Sequence, residues 1–233
     1  METWLVTGAS RGVGRALSLR LAQSGRRVFA LARDLAALER LAAEACPGAI
    51  VAEPVDLADR RALGAALIRL SQSCDSFDGV INNAGIGWFK PFLQHSEDEL
   101  ADLLQINLHA VMQICWALLP GMLACGRGQI INIGSDLGRR PLANMAAYVA
   151  SKHGLAGFSH SLLREVKDRG VRVSLINPGI IDTGFGGGEY GHRDPRAYLK
   201  PDALTALIMQ LIEQPESMVV DELSVHPLMQ AEF

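Results

Sequence analysis

Tyr148 and Lys152 stand four residues apart in the segment Y-V-A-S-K, a spacing that puts both side chains on one face of a helix, about one turn apart. The chain holds three tyrosines and, among 22 basic residues, only four lysines (Lys90, Lys152, Lys167 and Lys200), so independent placement over 233 residues gives roughly 0.05 such pairs. A tyrosine hydroxyl titrates near pH ~10 and is a poor acid or base at neutrality. An ammonium about 4 Å away, at an effective dielectric of about 20, favours the phenolate by about 4 kcal/mol, or about 3 pKa units. The pair is therefore expected to bring Tyr148 to about 7, where a general acid works best. The bland alternative is an exposed aromatic beside a solvated lysine.

Elements must hold such a pair, and the rest of the chain supplies a regular alternation. Apolar runs at 4–7, 27–32, 50–55, 79–82, 129–133, 171–176 and 218–225 read as strands, and amphipathic runs such as Val13, Leu17, Leu21 and Leu155, Phe158, Leu162, Val166 separate them as helices. Strands apolar throughout, each followed by a helix, imply a seven-stranded parallel sheet covered on both faces. Right-handed crossovers then give a single-domain, doubly wound Rossmann fold spanning residues 1–233. In such sheets ligands bind beyond the carboxyl ends of the strands, so the residues there are the ones to read.

The first strand runs into T-G-A-S-R-G-V-G, Thr7 to Gly14. Gly8 permits a tight turn, Gly12 lets backbone approach a pyrophosphate, and Gly14 allows close packing, so Gly8, Ser10, Arg11, Gly12, Val13 and Gly14 are read as a nucleotide-phosphate loop at a helix N-terminus. The wide glycine gap comes first, unlike G-x-G-x-x-G. After the second strand, Asp34 lies 20 residues past Gly14, where an acidic residue normally holds the ribose of NAD, but it also directly precedes a helical run, and the N-cap reading is favoured. Arg33 beside it, with Arg11, then faces a 2'-phosphate, each charge-assisted hydrogen bond being worth about 1.5 to 3 kcal/mol. The expected cofactor is NADP(H). Asp56 either accepts from an adenine amino group or begins a helix at Leu57. Beyond the fourth strand lie Asn82, Asn83, Ala84 and Gly85; beyond the fifth, Gly134 and Ser135; beyond the sixth, Pro178, Gly179, Ile181 and Thr183.

These motifs, T-G-A-S-R-G-V-G, N-N-A-G at 82–85, Asn107, Ser135 placed 13 before Tyr148, Y-V-A-S-K and P-G-I-I-D-T at 178–183, together resemble the short-chain dehydrogenase/reductase family over almost the whole chain. The resemblance implies that Tyr148 protonates the substrate oxygen while hydride passes from the nicotinamide to the carbonyl carbon, or the reverse. Ser135 would hydrogen-bond that oxygen, Lys152 would hold the nicotinamide ribose and depress the Tyr148 pKa, and Asn107 would anchor a water relay. It also implies NADP(H) preference from Arg11 and Arg33, and a homodimer or homotetramer. Gly134 stands where many relatives carry a second serine, with little consequence expected.

Trp88, Phe89, Leu137, Met145, Ile180 and Phe185 are read as an apolar wall for a hydrophobic or aromatic carbonyl or alcohol, under a glycine-rich lid at 184–200. No close histidine pairing points to a metal. A net charge of -3 gives no field for nucleic acid or an anionic membrane, and four cysteines without a C-x-x-C pair, together with the absence of a signal-peptide pattern, point to the cytoplasm. The segment from Leu103 to Cys125 carries no formal charge but includes Gln105, Asn107, His109, Gln113 and Pro120, and is read as a helix buried in protein. Small residues along the Tyr148 helix (Ala147, Ala150, Ser151, Gly154, Gly157, Ser161) would admit another helix closely, partly from the core and partly from a second subunit. Competing functions are a 3-oxoacyl-carrier-protein reductase, with Arg139, Arg140, Arg169 and Arg172 as its docking patch, and a non-catalytic nucleotide sensor on the same fold.

Overall fold

The computed structural model describes residues 1–185 and 191–230. Strands β1 (Thr3–Thr7), β2 (Arg27–Ala32), β3 (Ile50–Pro54), β4 (Gly79–Asn82), β5 (Gly128–Ile133), β6 (Val171–Pro178) and β7 (Glu222–Val225) form one parallel sheet in the order β3-β2-β1-β4-β5-β6-β7. Helices α1 (Gly12–Gln23), α2 (Leu35–Ala43), α3 (Arg60–Ser73), α4 (Glu97–Leu104), α5 (Ala110–Cys125), α6 (Ala146–Val166) and α7 (Pro201–Ile212) cover it. The expected seven-stranded, doubly wound single domain is the fold observed. The strand order reverses between β1 and β4, and registers such as Val6↔Ile81 and Ile131↔Ser174 bring the ends of β1, β4, β5 and β6 to one rim.

Two apolar layers sandwich the sheet. Leu17 and Leu21 of α1, Leu38 and Leu41 of α2, and Leu204 and Ile208 of α7 pack on one face with Val6, Ala30 and Ile131. Leu63, Leu67 and Leu70 of α3, Ile114 and Leu118 of α5, and Leu155 and Leu162 of α6 pack on the other with Leu5, Val80 and Ile130. Truncating one such leucine to alanine costs about 2 to 5 kcal/mol, so these layers set the rigidity of the rim they support.

Three expected boundaries shift, each for a local reason. The helix after β3 does not begin at Leu57: Asp59 is its cap, accepting from the backbone N–H of Arg61 and Ala62, while Asp56 closes a turn by accepting from Ala58 N at 3.0 Å. The last strand is shorter than 218–225, because Met218 N–H is bonded to Pro215 and the Met218 carbonyl accepts from Arg172, which makes that stretch a turn after α7. The uncharged segment is not one buried helix. It runs from α4 through a widened π turn at Gln105–His109 into α5, whose inner face (Ala110, Val111, Ile114, Cys115, Leu118, Met122) is buried while Trp116 is 81% exposed. A helix lying on a sheet hides one face only.

Candidate functional site

At the carboxyl end of β1 the chain turns through Gly8 and Gly12, whose φ angles of 66° and 56° lie in the left-handed region that side chains rarely adopt. Arg11 caps α1 in extended conformation without a side-chain hydrogen bond, so among the described residues no side chain caps the first-turn N–H groups of α1. The β1 and β4 loops are clamped together here: the Thr7 hydroxyl accepts from the N–H of both Asn83 and Ala84 at 3.0 Å, and Asn83 Nδ2 donates to the Thr7 carbonyl at 3.0 Å. A Cβ on Gly14 would stand 2.3 Å from the Gly8 carbonyl oxygen and 2.5 Å from Asn83 Nδ2. Glycine is thus required where the two loops cross. Across the rim, the Thr183 methyl lies 3.2 Å from where a Gly12 Cβ would be, so the segment after β6 closes on this glycine turn.

The side chains of Arg11 and Arg33 are exposed on this side. Asp34 is spent as the cap of α2, accepting from Ala37 N at 2.9 Å, as favoured from sequence. Leu57 is buried, its carbonyl taken by Gln105 Nε2 at 3.0 Å. A helix N-terminus free of a side-chain cap, two left-handed glycines and two exposed guanidinium groups fit a dinucleotide phosphate chain.

Tyr148 and Lys152 project from one face of α6, both buried. The Lys152 ammonium donates to the Ile133 carbonyl at 2.8 Å and lies 5.7 Å from the centroid of the Tyr148 ring. Gly85 borders both groups, and a Cβ there would make only ordinary contacts, 3.8 Å from this ammonium and 3.4 Å from Asn107 Oδ1. Asn107, in the widened turn between α4 and α5, accepts from Ile86 N–H at 2.8 Å and donates to the Ile86 carbonyl at 2.8 Å and to Ser151 Oγ at 3.1 Å. Such turns are frequent at functional sites.

The expectation of a tyrosine near 7 is not met in the ligand-free protein. Burial pushes the Tyr148 phenol up to about 12; the neighbouring Ser135 hydroxyl pulls it down and the charge of Asp136 raises it further. Burial lowers Lys152 to about 8. The physical reason is that the ammonium bonds the Ile133 carbonyl rather than the phenol, so desolvation outweighs its attraction.

Ser135 follows β5, where its Oγ donates to Asp136 Oδ1 at 3.1 Å and accepts from Leu137 N at 3.2 Å. Gly134 matters more than expected: a Cβ would meet Asn177 Oδ1 at 2.2 Å, and that oxygen accepts from Ser135 N–H at 3.3 Å. Gly87 likewise lets Tyr148 and Phe185 in, its missing Cβ falling 2.6 Å from the Tyr148 ring. Sequence reading missed Gly87, Asn177 and Asp136; only their adjacency to strand ends could have flagged the last two.

Leu137, Met145 and Tyr148 form a buried apolar cluster with Leu103, against which Trp88 packs, and Phe185 stacks edge-on to Tyr148 at 5.7 Å. Phe89 is 68% exposed and stands outside that cluster. Of the expected lid, residues 186–190 lie outside the described residues. Its flanks are held by the Lys200 ammonium on the fully buried Asp182 carboxylate at 2.6 Å, and by Gly191 N–H on the same carboxylate at 3.0 Å. Two of the four arginines proposed for protein docking are engaged elsewhere: Arg139 makes a bidentate pair with Glu222, and Arg172 folds onto the carbonyls of Gln214, Pro215 and Met218.

The short chain dehydrogenase family matches residues 2–191. Carbonyl reductase family member 4 of Xenopus tropicalis is 34% identical over 203 residues, 87% of this chain and 81% of the relative. The 3-oxoacyl-[acyl-carrier-protein] reductase FabG of Vibrio harveyi is 35% identical over 182 residues, 77% and 73% of the respective chains. An alcohol dehydrogenase from the archaeon Thermococcus sibiricus, solved with 5-hydroxy-NADP, superposes with a TM-score of 0.93 at 28% identity over the full length of both chains.

Proposed function

Because the chain belongs to the short chain dehydrogenase family, an oxidoreductase family, we propose that it is an NADPH-dependent carbonyl reductase acting on apolar or aromatic ketones, and on the matching alcohols in reverse. The nicotinamide, when bound, supplies the hydride. The observation that carries the reading is the convergence of Ser135, Tyr148 and Lys152 beside an uncapped glycine-turn helix N-terminus on one rim. The first turn of α1 with Gly8, Ser10, Gly12, Val13 and Gly14 would hold the phosphate chain, Arg11 and Arg33 the 2'-phosphate, Asp56 and Leu57 the adenine, Asn83, Ala84 and Gly85 the ribose side, and Pro178, Gly179, Ile181 and Thr183 the nicotinamide end.

Tyr148 keeps its proton in the ligand-free site, which suits an acid that delivers it from Oη to a carbonyl oxygen as the carbonyl carbon gains hydride. Ser135 donates to that oxygen. Lys152 holds the ribose and, once its charge faces the developing phenolate, stabilises it. Asn107 keeps the Ile86 backbone and Ser151 in place behind Lys152, where the family resemblance implies a water relay. Leu137, Met145, Trp88 and Phe185 exclude water, with 184–200 as the lid. The outward face of α5, with Trp116 and Met112, and the small residues Ala150 and Gly157 of α6 form the contact of a homodimer or homotetramer.

A 3-oxoacyl thioester is the second reading, favoured by the likeness to FabG. A screen of NADPH and NADH oxidation against ketones, diketones, quinones and acyl thioesters separates the two. Turnover of aromatic ketones over thioesters supports the first, preference for thioesters the second, and tight NADPH binding without turnover on any of them contradicts both.

A further inference from the structure

The segment after β7 folds back over the rim, beyond the part of the chain that the family match covers. Its Gln230 side chain enters between the loops leaving β5 and β6: Nε2 donates to Asp136 Oδ2 at 2.6 Å, and Oε1 accepts from Ile180 N–H at 2.9 Å. Only this orientation of the amide serves both partners, since a carboxylate can only accept and a backbone N–H can only donate. Room for it exists because residue 179 is glycine; a Cβ there would stand 2.0 Å from Gln230 Oε1. The other Asp136 oxygen, Oδ1, accepts from Ser135 Oγ at 3.1 Å and from Leu137 N at 2.8 Å. His226, from the same segment, buries its Nε2 at 3.7 Å from Asp136 Oδ2. Met229 N–H donates to the Arg196 carbonyl at 2.8 Å, tying the segment to the lid flank as well.

We propose that Gln230 is a positioning residue for Ser135: by bridging Ile180 and the buried Asp136 carboxylate, it fixes the rotamer of the serine and makes the carboxy-terminal segment part of the catalytic apparatus. Asp136 is the middle link. It accepts from the Ser135 hydroxyl in the absence of substrate, and with substrate present the same O–H turns to donate its hydrogen bond to the substrate oxygen, without transfer of the proton. A serine aimed a fraction of an ångström away loses its bond to the substrate oxygen, whereas Gln230 itself touches neither substrate nor cofactor. The inference rests on the reading of Ser135 as a group that binds the reacting oxygen.

The test is a double-mutant cycle on the full-length protein with benzil as the carbonyl probe and NADPH as reductant. Gln230→Ala is expected to lower kcat about 10- to 100-fold, the scale of a small misplacement of a reacting group, with the Kd for NADPH and the KM for benzil changed by less than about threefold. In a Ser135→Ala background the same change has no further effect on kcat. Independently of turnover, amide hydrogen exchange in Gln230→Ala speeds up at 135–138 and 179–181 and not at 128–133. Unchanged exchange at those two loops, or a Gln230 effect that multiplies fully with Ser135→Ala, overturns the proposal. If Ser135→Ala itself leaves kcat intact, the catalytic reading fails and this inference with it; a crippled Ser135→Ala beside an indifferent Gln230→Ala sinks this inference alone.

Discussion

The two ends of the sheet are built on opposite electrostatic principles. At the amino end, charges are paired and backbone donors filled: Asp78 accepts from Thr3 N–H at 2.8 Å and meets Arg127 at 3.1 Å, Glu2 meets Arg26 at 2.6 Å, and Arg172 is wrapped in carbonyls. At the carboxyl end, the first turn of α1 has no side-chain cap, Lys152 is buried on a single carbonyl, and Arg11 and Arg33 stand in solvent. The same layers of leucine and isoleucine support both ends. The amino end therefore closes the structure, whereas the carboxyl end, beside its Lys200–Asp182 pair, keeps a desolvated ammonium and phenol, and the cost of that arrangement shows in the lowered Lys152 and raised Tyr148.

Substitutions at the two ends should separate activity from stability. The largest effect is expected for Tyr148→Phe, which should cut turnover by about 10² to 10⁴ while NADPH still binds, read by steady-state kinetics beside a fluorescence titration. Equal turnover would remove the phenol from the chemistry. Next, Arg33→Asp should move the ratio of kcat/KM for NADPH over NADH by about 10- to 100-fold toward NADH, and an unchanged ratio would hand the 2'-phosphate to another group.

Lys152 gives a pH signature. Its folded-state value of about 8 lies below the 10.5 of an unperturbed lysine, so between them the unfolded chain binds the extra proton and stability rises with pH. Relative to Lys152→Met, the wild type should gain about 2 kcal/mol of urea-unfolding stability from pH ~7 to ~9.5, in the absence of cofactor. A flat difference would mean that the ammonium is not desolvated. The smallest effect belongs to the amino end, where Asp78→Ala should cost about 1 to 2 kcal/mol of stability and leave kcat within about twofold.

What could be read in the residues followed from locality. The glycine loop, the Asp34 cap and the Tyr148–Lys152 pair are each set by neighbours within a few positions, and each stands where local spacing puts it. Groups joined over long distances were invisible. Asn177 beside Gly134, and Gln230 on Asp136, span 43 and 94 residues and depend on the sheet bringing strand ends together. Nor could spacing reveal that Lys152 would choose the Ile133 carbonyl, because i,i+4 geometry brings two side chains to one face without fixing which atom the ammonium meets. The scarcity of lysine proved doubly informative: a second one, Lys200, is committed to the buried Asp182 at the flank of the lid.

The central claim is that the carboxyl-end rim passes hydride from a bound nicotinamide to a carbonyl carbon. Its most direct test is mass spectrometry of the alcohol formed when NADPH carrying deuterium at both hydrogens of nicotinamide C4 reduces the best carbonyl compound from the screen. Proposed chemistry at this rim predicts one deuterium on the carbinol carbon and none on its oxygen; an alcohol without the label, or no alcohol from any compound, would contradict it.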